Sequence, residues 1–229
     1  LECRARYRDE PNGDDVPAVD IEMPDGTRTA SDAPDVAARL SELVGRTVTL
    51  WARQPADLLD HYRRGAPDHE DLEQELRSVF SREPDEPLPD LARLPPELFE
   101  FTSPPGTYFD VFPMHVLTTA SLTALAGDGP AHRFDRRRFR PNVLIETDGA
   151  LVGQIEAAWG DRRLRLGAAE IALTMPTPRC GMTMHAQPGL PRDPAVLRTI
   201  VRAGAQNLGI YGVTGTPGRI AVGDVVELA

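Results

Sequence analysis

Cys180 is the residue in this sequence best suited to chemistry. A thiolate is both a nucleophile and a soft metal ligand, and this one sits in the run Pro178-Arg179-Cys180-Gly181-Met182-Thr183. Arg179 favours the charged form if its side chain turns the same way. The bland alternative is a buried, inert Cys at a strand end. A second group is Phe139-Arg140-Pro141-Asn142. A guanidinium at Arg140 suits a bidentate grip on phosphate, and Asn142 offers both donor and acceptor. Pro141 predicts an extended backbone at Arg140. Asn142 could equally be a strand-start residue bonding the local backbone. Thr118, Thr119 and Ser121 lie near the start of a short helix. Hydroxyls and backbone N–H groups there can bind phosphate or simply cap the helix.

Other chemistries are excluded or set aside. Cys3 and Cys180 are the two cysteines, too far apart for a disulfide framework, which reads as a reduced, cytosolic chain. No CxxC or HExxH pattern exists to make a zinc site. His185 follows Cys180 by five positions, an odd offset that places the two on opposite faces of a strand, so it is not assigned as a metal ligand. Asp110 and His115 lack the context of a Ser/His/Asp arrangement. The net charge of −10 argues against non-specific nucleic-acid binding. The run His132 to Arg140 is nevertheless dense in Arg, which fits either a local anion site or a solvated strand edge. Arg136, Arg137 and Arg138 are assigned to the solvated face. The longest uncharged stretch, Val111 to Gly127, is interrupted by Pro113 and His115, so neither a membrane span nor a signal peptide is expected.

These residues need elements to hold them. With 41% hydrophobic and 26% charged residues, the 229-residue chain is globular and large enough for one domain or two small ones. Residues 16 to 23 read as a strand, and Pro24-Asp25-Gly26 as a turn. Val36, Ala37, Leu40, Leu43 and Val44 recur at helical spacing, capped by Ser31 or Asp32 and closed by Gly45. Thr47 to Trp51 reads as a strand. Residues 53 to 106, rich in Pro and acidic residues, read as an insertion or linker over the surface, helical around Leu72, Leu76, Val79 and Phe80. Met114 to Leu125 reads as a helix, and a second helix runs from Pro194 to about Ala205 behind the cap Asp193. Strands are expected at 142 to 146, 163 to 166, 170 to 175, 182 to 186, 208 to 213, 219 to 222 and 225 to 228. Many short strands with few helices predict a mainly β or α+β fold, a β-barrel with peripheral helices.

Several pieces carry a family resemblance. They are Arg140-Pro141-Asn142, Glu156-Ala157-Ala158-Trp159, Leu166-Gly167, Pro178-Arg179-Cys180, Gly209-Ile210-Tyr211 and Pro217 through Asp224. In this order and spacing they resemble the MOSC domain, named after the C-terminal part of molybdenum cofactor sulfurases, and within it the bacterial and mitochondrial amidoxime-reducing branch. Pro24-Asp25-Gly26, Leu43 through Arg46 and Thr119 through Leu122 resemble the β-barrel region that precedes MOSC in those proteins. The resemblance implies residues 1–52 as that N-terminal region, incomplete at its start, and 107–229 as the MOSC domain. The sequence departs from the branch at His185-Ala186-Gln187 and at Ala157.

The resemblance also implies a molybdenum cofactor (molybdopterin with Mo), with Cys180 as the metal ligand and catalytic residue. Arg140, Asn142, Thr119, Ser121 and Arg179 would hold it, while Trp159 matches a family tryptophan that fits a core ring, and Thr183 and Tyr211 could line the site. The implied reaction reduces an N-hydroxylated or N-oxygenated small molecule. No GxGxxG motif and no iron–sulfur cysteine set is present, so electrons would come from a flavin or iron–sulfur partner. Two alternatives remain open: a persulfide or cofactor carrier acting through Cys180, and a cofactor-free binding module.

Overall fold

A computed structural model describes residues 2–12, 16–127, 129–130 and 133–229. The chain divides into two compact units, Leu1–Pro55 with Ala186–Pro191, and Ala56–His185 with Arg192–Ala229. His132, the first residue of the basic run, lies outside the described residues.

The first unit is a three-stranded antiparallel sheet with one helix. β1 (Arg4–Tyr7), β2 (Val19–Glu22) and β3 (Arg28–Ala30) pair in that order. Helix α1 (Val36–Val44) ends at Gly45, whose φ of 70° is the left-handed conformation a helix terminus favours. Ile21, Met23 and Val36 form its small core, with Cys3 packed against them. Neither Ser31 nor Asp32 caps α1. The Ser31 hydroxyl accepts from the backbone N–H of Val19, and Asp32 accepts from Arg8. Thr47 to Trp51 forms no strand: Val48 is tied through both backbone groups to the Ser41 hydroxyl instead of to a ladder.

The second unit opens with α2 (Leu59–Tyr62), α3 (Leu72–Phe80) and α4 (Glu97–Glu100). Residues 53 to 106 are therefore more than a surface excursion. Tyr62, Arg82, Glu86, Leu98, Phe101 and Ser103 are all buried. Then β4 (Met114–Thr118) leads into α5 (Thr119–Ala126), followed by β5 (Val143–Ile145), β6 (Arg163–Leu166) and β7 (Ala169–Pro178). Helix α6 (Pro194–Ala203), β8 (Asn207–Thr216) and β9 (Val226–Leu228) complete the unit.

The six strands order as β5-β4-β8-β7-β6-β9 in a nearly closed, barrel-like sheet, parallel only between β4 and β5. Strand β6 alternates exposed Arg163 and Arg165 with buried Leu164 and Leu166, and β7 buries Ile171, Leu173 and Met175, so period-two patterning fills the barrel. Val116, Ile145 and Ile210 complete this core. On the other side, α6 packs Val196 and Ile200 against Leu117, Phe134, Phe139 and Leu208. Its cap is as expected, with Asp193 accepting from the N–H of Ala195 at 3.0 Å.

Three expected elements differ. Met114 to Thr118 is a strand, because a short apolar run reads alike as strand or helix until its pairing is known, and here it pairs with both β5 and β8. Arg219 to Val222 forms no strand. Residues 182 to 186 are not a strand either: Gly181–Met184 is a 3-10 turn. The odd-offset argument for His185 therefore does not apply. His185 is exposed, and its carbonyl accepts from Arg138.

Candidate functional site

Strand β7 runs out at Pro178, and the backbone N–H of Arg179 makes a last bond to the carbonyl of Gln206 at 3.0 Å. Cys180 follows as the hinge between strand and 3-10 turn, half-buried, with a free thiol. Its carbonyl accepts from the N–H of Thr183 at 3.3 Å and the Thr183 hydroxyl at 3.1 Å, so Thr183, fully buried, holds the turn. Gly181 is required by space: a Cβ there would overlap the Ser81 hydroxyl.

Cations converge on this cysteine. The guanidinium of Arg179 donates Nη2 to the carbonyl of Phe139 at 3.1 Å and lies 5.9 Å from the centre of the Phe139 ring. Its Nε is buried with no hydrogen-bond partner. Burial pushes the pKa of Arg179 down, Tyr211, Cys180 and Asp110 push it up, and Arg140 pushes it down again. Arg82 comes from the segment before the barrel. It donates Nη2 to the carbonyl of Arg179 at 3.0 Å, Nε to Gln206 at 3.2 Å and Nη1 to the carbonyl of Phe80 at 2.8 Å. Burial lowers its pKa too, and the charges of Glu86 and Cys180 raise it. Burial raises the Tyr211 phenol to about 12, with Arg179 lowering it and Asp110 and Cys180 raising it, so it keeps its proton near neutral pH. Cys180, Arg179, Arg82, Tyr211 and the exposed Asp110 thus share one electrostatic neighbourhood, and Arg140 reaches it.

The basic run divides. Arg136 and Arg137 are exposed, as expected, but Arg138 is 1% exposed and donates Nη1 to the carbonyl of His185. The extended backbone expected at Arg140 is not found. Its φ is +52°, an uncommon left-handed conformation that ends the 3-10 turn Arg136–Arg138 with a bond from its N–H to the carbonyl of Arg136. This twist leaves the Arg140 side chain exposed.

Asn142 joins the backbone. Its Oδ1 accepts from the N–H of His115 at 2.8 Å, and its own N–H donates to the carbonyl of His115 at 2.9 Å. It also borders a cavity of about 750 Å³ between the β5 and β9 edges, which Cys180 does not line. His115 is buried against the Leu208 carbonyl, close enough that a Cβ on Gly209 would overlap its ring. Burial first, then the Arg179 charge, lowers its pKa to about 3, so it is a neutral core imidazole and not a base paired with Asp110.

Thr118, Thr119 and Ser121 gather elsewhere. Glu156 is completely buried and accepts from the Thr118 hydroxyl at 2.7 Å, the Ser121 hydroxyl at 2.6 Å and the Thr118 N–H at 3.4 Å. The Thr119 hydroxyl bonds Thr147 through both its hydroxyl and its N–H. Trp159 packs against the barrel core and borders the cavity.

The residues around Cys180 fit a molybdenum cofactor. The thiol supplies a soft ligand, and the guanidiniums of Arg179, with its unpartnered buried Nε, and Arg82 suit an anionic group. Among the described residues no three His, Cys, Asp or Glu side chains converge. Sequence reasoning missed Arg82, which lies in a stretch of breakers with no local pattern, and missed the buried role of Glu156. The latter had a signal: an acidic residue beside apolar Ile155, Ala157 and Ala158.

No helix among the described residues is long and apolar enough to cross a membrane. Among curated proteins, no sequence matches this one. A family model for the MOSC domain matches residues 105–227, more than half of the chain and the whole of the barrel-like sheet except Leu228, the last residue of β9. With Cys180 at the end of its longest strands and cations gathered round it, the chain belongs to the MOSC-domain family.

Proposed function

We propose that this chain binds a molybdenum cofactor through the sulfur of Cys180 and reduces the N–O bond of an N-hydroxylated small molecule, drawing electrons from a separate flavin or iron–sulfur protein. The observation that carries the reading is the half-buried Cys180 in one electrostatic neighbourhood with Arg179 and Arg82, where the buried Nε of Arg179 has no hydrogen-bond partner. When bound, the cofactor supplies two-electron redox chemistry that no side chain here can provide. Arg179 and Arg82 offset negative charge beside the sulfur, and the exposed Arg140 offers a further cation to an anionic group. The Tyr211 phenol, protonated near neutral pH, shares this electrostatic neighbourhood and can act as a proton donor. Thr183 keeps the Cys180 backbone fixed while these groups act.

Elemental mass spectrometry on the full chain, produced in a host that makes the cofactor, tests this directly. Near one Mo per wild-type chain, lost in Cys180→Ala, is expected, with turnover of an N-hydroxylated amidine in the presence of a reductant. No Mo in folded wild-type protein would sink the reading, and a sulfane-sulfur assay on Cys180 would then examine the persulfide carrier instead.

A further inference from the structure

Residues 53 to 104 precede the matched MOSC domain, yet they contact the residues on either side of Cys180. Ser81 has φ of +51° and presses its hydroxyl where a Cβ of Gly181 would be. Arg82 holds the carbonyl of Arg179. These two neighbours therefore grip the two residues that flank the cysteine. The grip is itself anchored: Arg198 donates to the carbonyl of Ser81 and to the carboxylate of Glu86, which is buried, and Gln206 accepts from Arg82 while donating to the carbonyl of Leu88. Burying Arg82 is costly without a full set of partners, and its position is over-determined by acceptors from three segments.

We propose that Arg82 is a positioning residue for Cys180, clamping the backbone at Arg179 and setting a positive potential at the sulfur, so that the segment before the MOSC domain is a working part of its site. The effect is on which reagents and ligands approach the thiol: anionic groups are drawn in, neutral ones are not. This rests on the proposed role of Cys180 only for its purpose; the potential exists in the cofactor-free chain.

Charge-selective alkylation reads it. Iodoacetate and iodoacetamide both form a thioether as iodide leaves, one reagent anionic and the other neutral. Their rate ratio at one sulfur cancels the fraction of thiolate. The full chain, prepared from a host without molybdenum cofactor, is labelled with each, and Cys180 and Cys3 are quantified as separate peptides. In the wild type the iodoacetate preference at Cys180 should exceed that at Cys3 and fall as salt is added. Arg82→Gln, which keeps a donor for the Arg179 carbonyl, should lower the ratio at Cys180 by about threefold, the size of one partly screened charge, and leave Cys3 unchanged. Arg82→Lys should restore most of it. A wild-type ratio at Cys180 no higher than at Cys3 overturns the proposal without any variant, as does an unchanged ratio in folded Arg82→Gln. Loss of selectivity in Arg82→Gln together with no Mo in wild-type protein would keep this inference and reject the cofactor reading.

Discussion

Two polar clusters lie in the same unit and behave oppositely. Glu156 is sealed: its buried carboxylate accepts from two hydroxyls and an N–H of Thr118 and Ser121. The Cys180 neighbourhood differs: a buried Arg82 and a half-buried Arg179 lie beside a half-buried thiol, and the buried Nε of Arg179 finds no acceptor. A buried carboxylate held by hydroxyls and an N–H of its own chain belongs to the internal hydrogen-bond network of the fold. A half-buried thiol beside an unpartnered donor leaves room for a ligand that its own chain does not supply. Hydroxyls near a helix start and guanidiniums near a cysteine look equally like anion sites in a sequence; the partners decide which is which.

The largest expected effect breaks the sealed side. Glu156→Ala strands two buried hydroxyls and should cost about 3–5 kcal/mol of stability, read by denaturant unfolding, with charge selectivity at Cys180 unaltered in whatever remains folded. A loss below about 1 kcal/mol would mean that the network is not a structural one. The next concerns pH. The folded pKa of His115 is lowered to about 3, while in the unfolded chain it titrates near 6.5. Above about 6.5 both states are neutral and no stability is lost. As pH falls from there toward 3 the unfolded chain gains the proton first, and stability should drop by up to about 1.4 kcal/mol per unit. His115→Gln should flatten that slope in urea titrations run at several pH values.

A smaller effect tests the open side. Gly181→Ala forces a Cβ against Ser81 and should cost about 1–3 kcal/mol while shifting the alkylation rate of Cys180; Ser81→Gly should recover part of both. Smallest of all, Arg140→Ala removes an exposed side chain and should change stability by no more than about 0.5 kcal/mol, yet reduce Mo retention. Equal Mo content in that variant would remove Arg140 from the site.

The sequence by itself determined the family, the barrel-like class, and the elements whose signals are local. Asp193-Pro194 opens α6 because a cap and its first turn are neighbours in the chain, and the period-two alternation of β6 appears in four residues. Cys180 was legible for a similar reason, since its motif is contiguous. Only tertiary structure decided that 114–118 is a strand, because pairing with Ile210 and Val143 lies outside any local window. Only tertiary structure turned Ser121 and Thr118 toward Glu156, 35 and 38 positions away, and brought Arg82 to Arg179 across 97. Hydrogen-bond partners at such separations leave no periodicity, and burial of a charge is set by everything packed around it, so neither is written in the neighbours of the residue concerned.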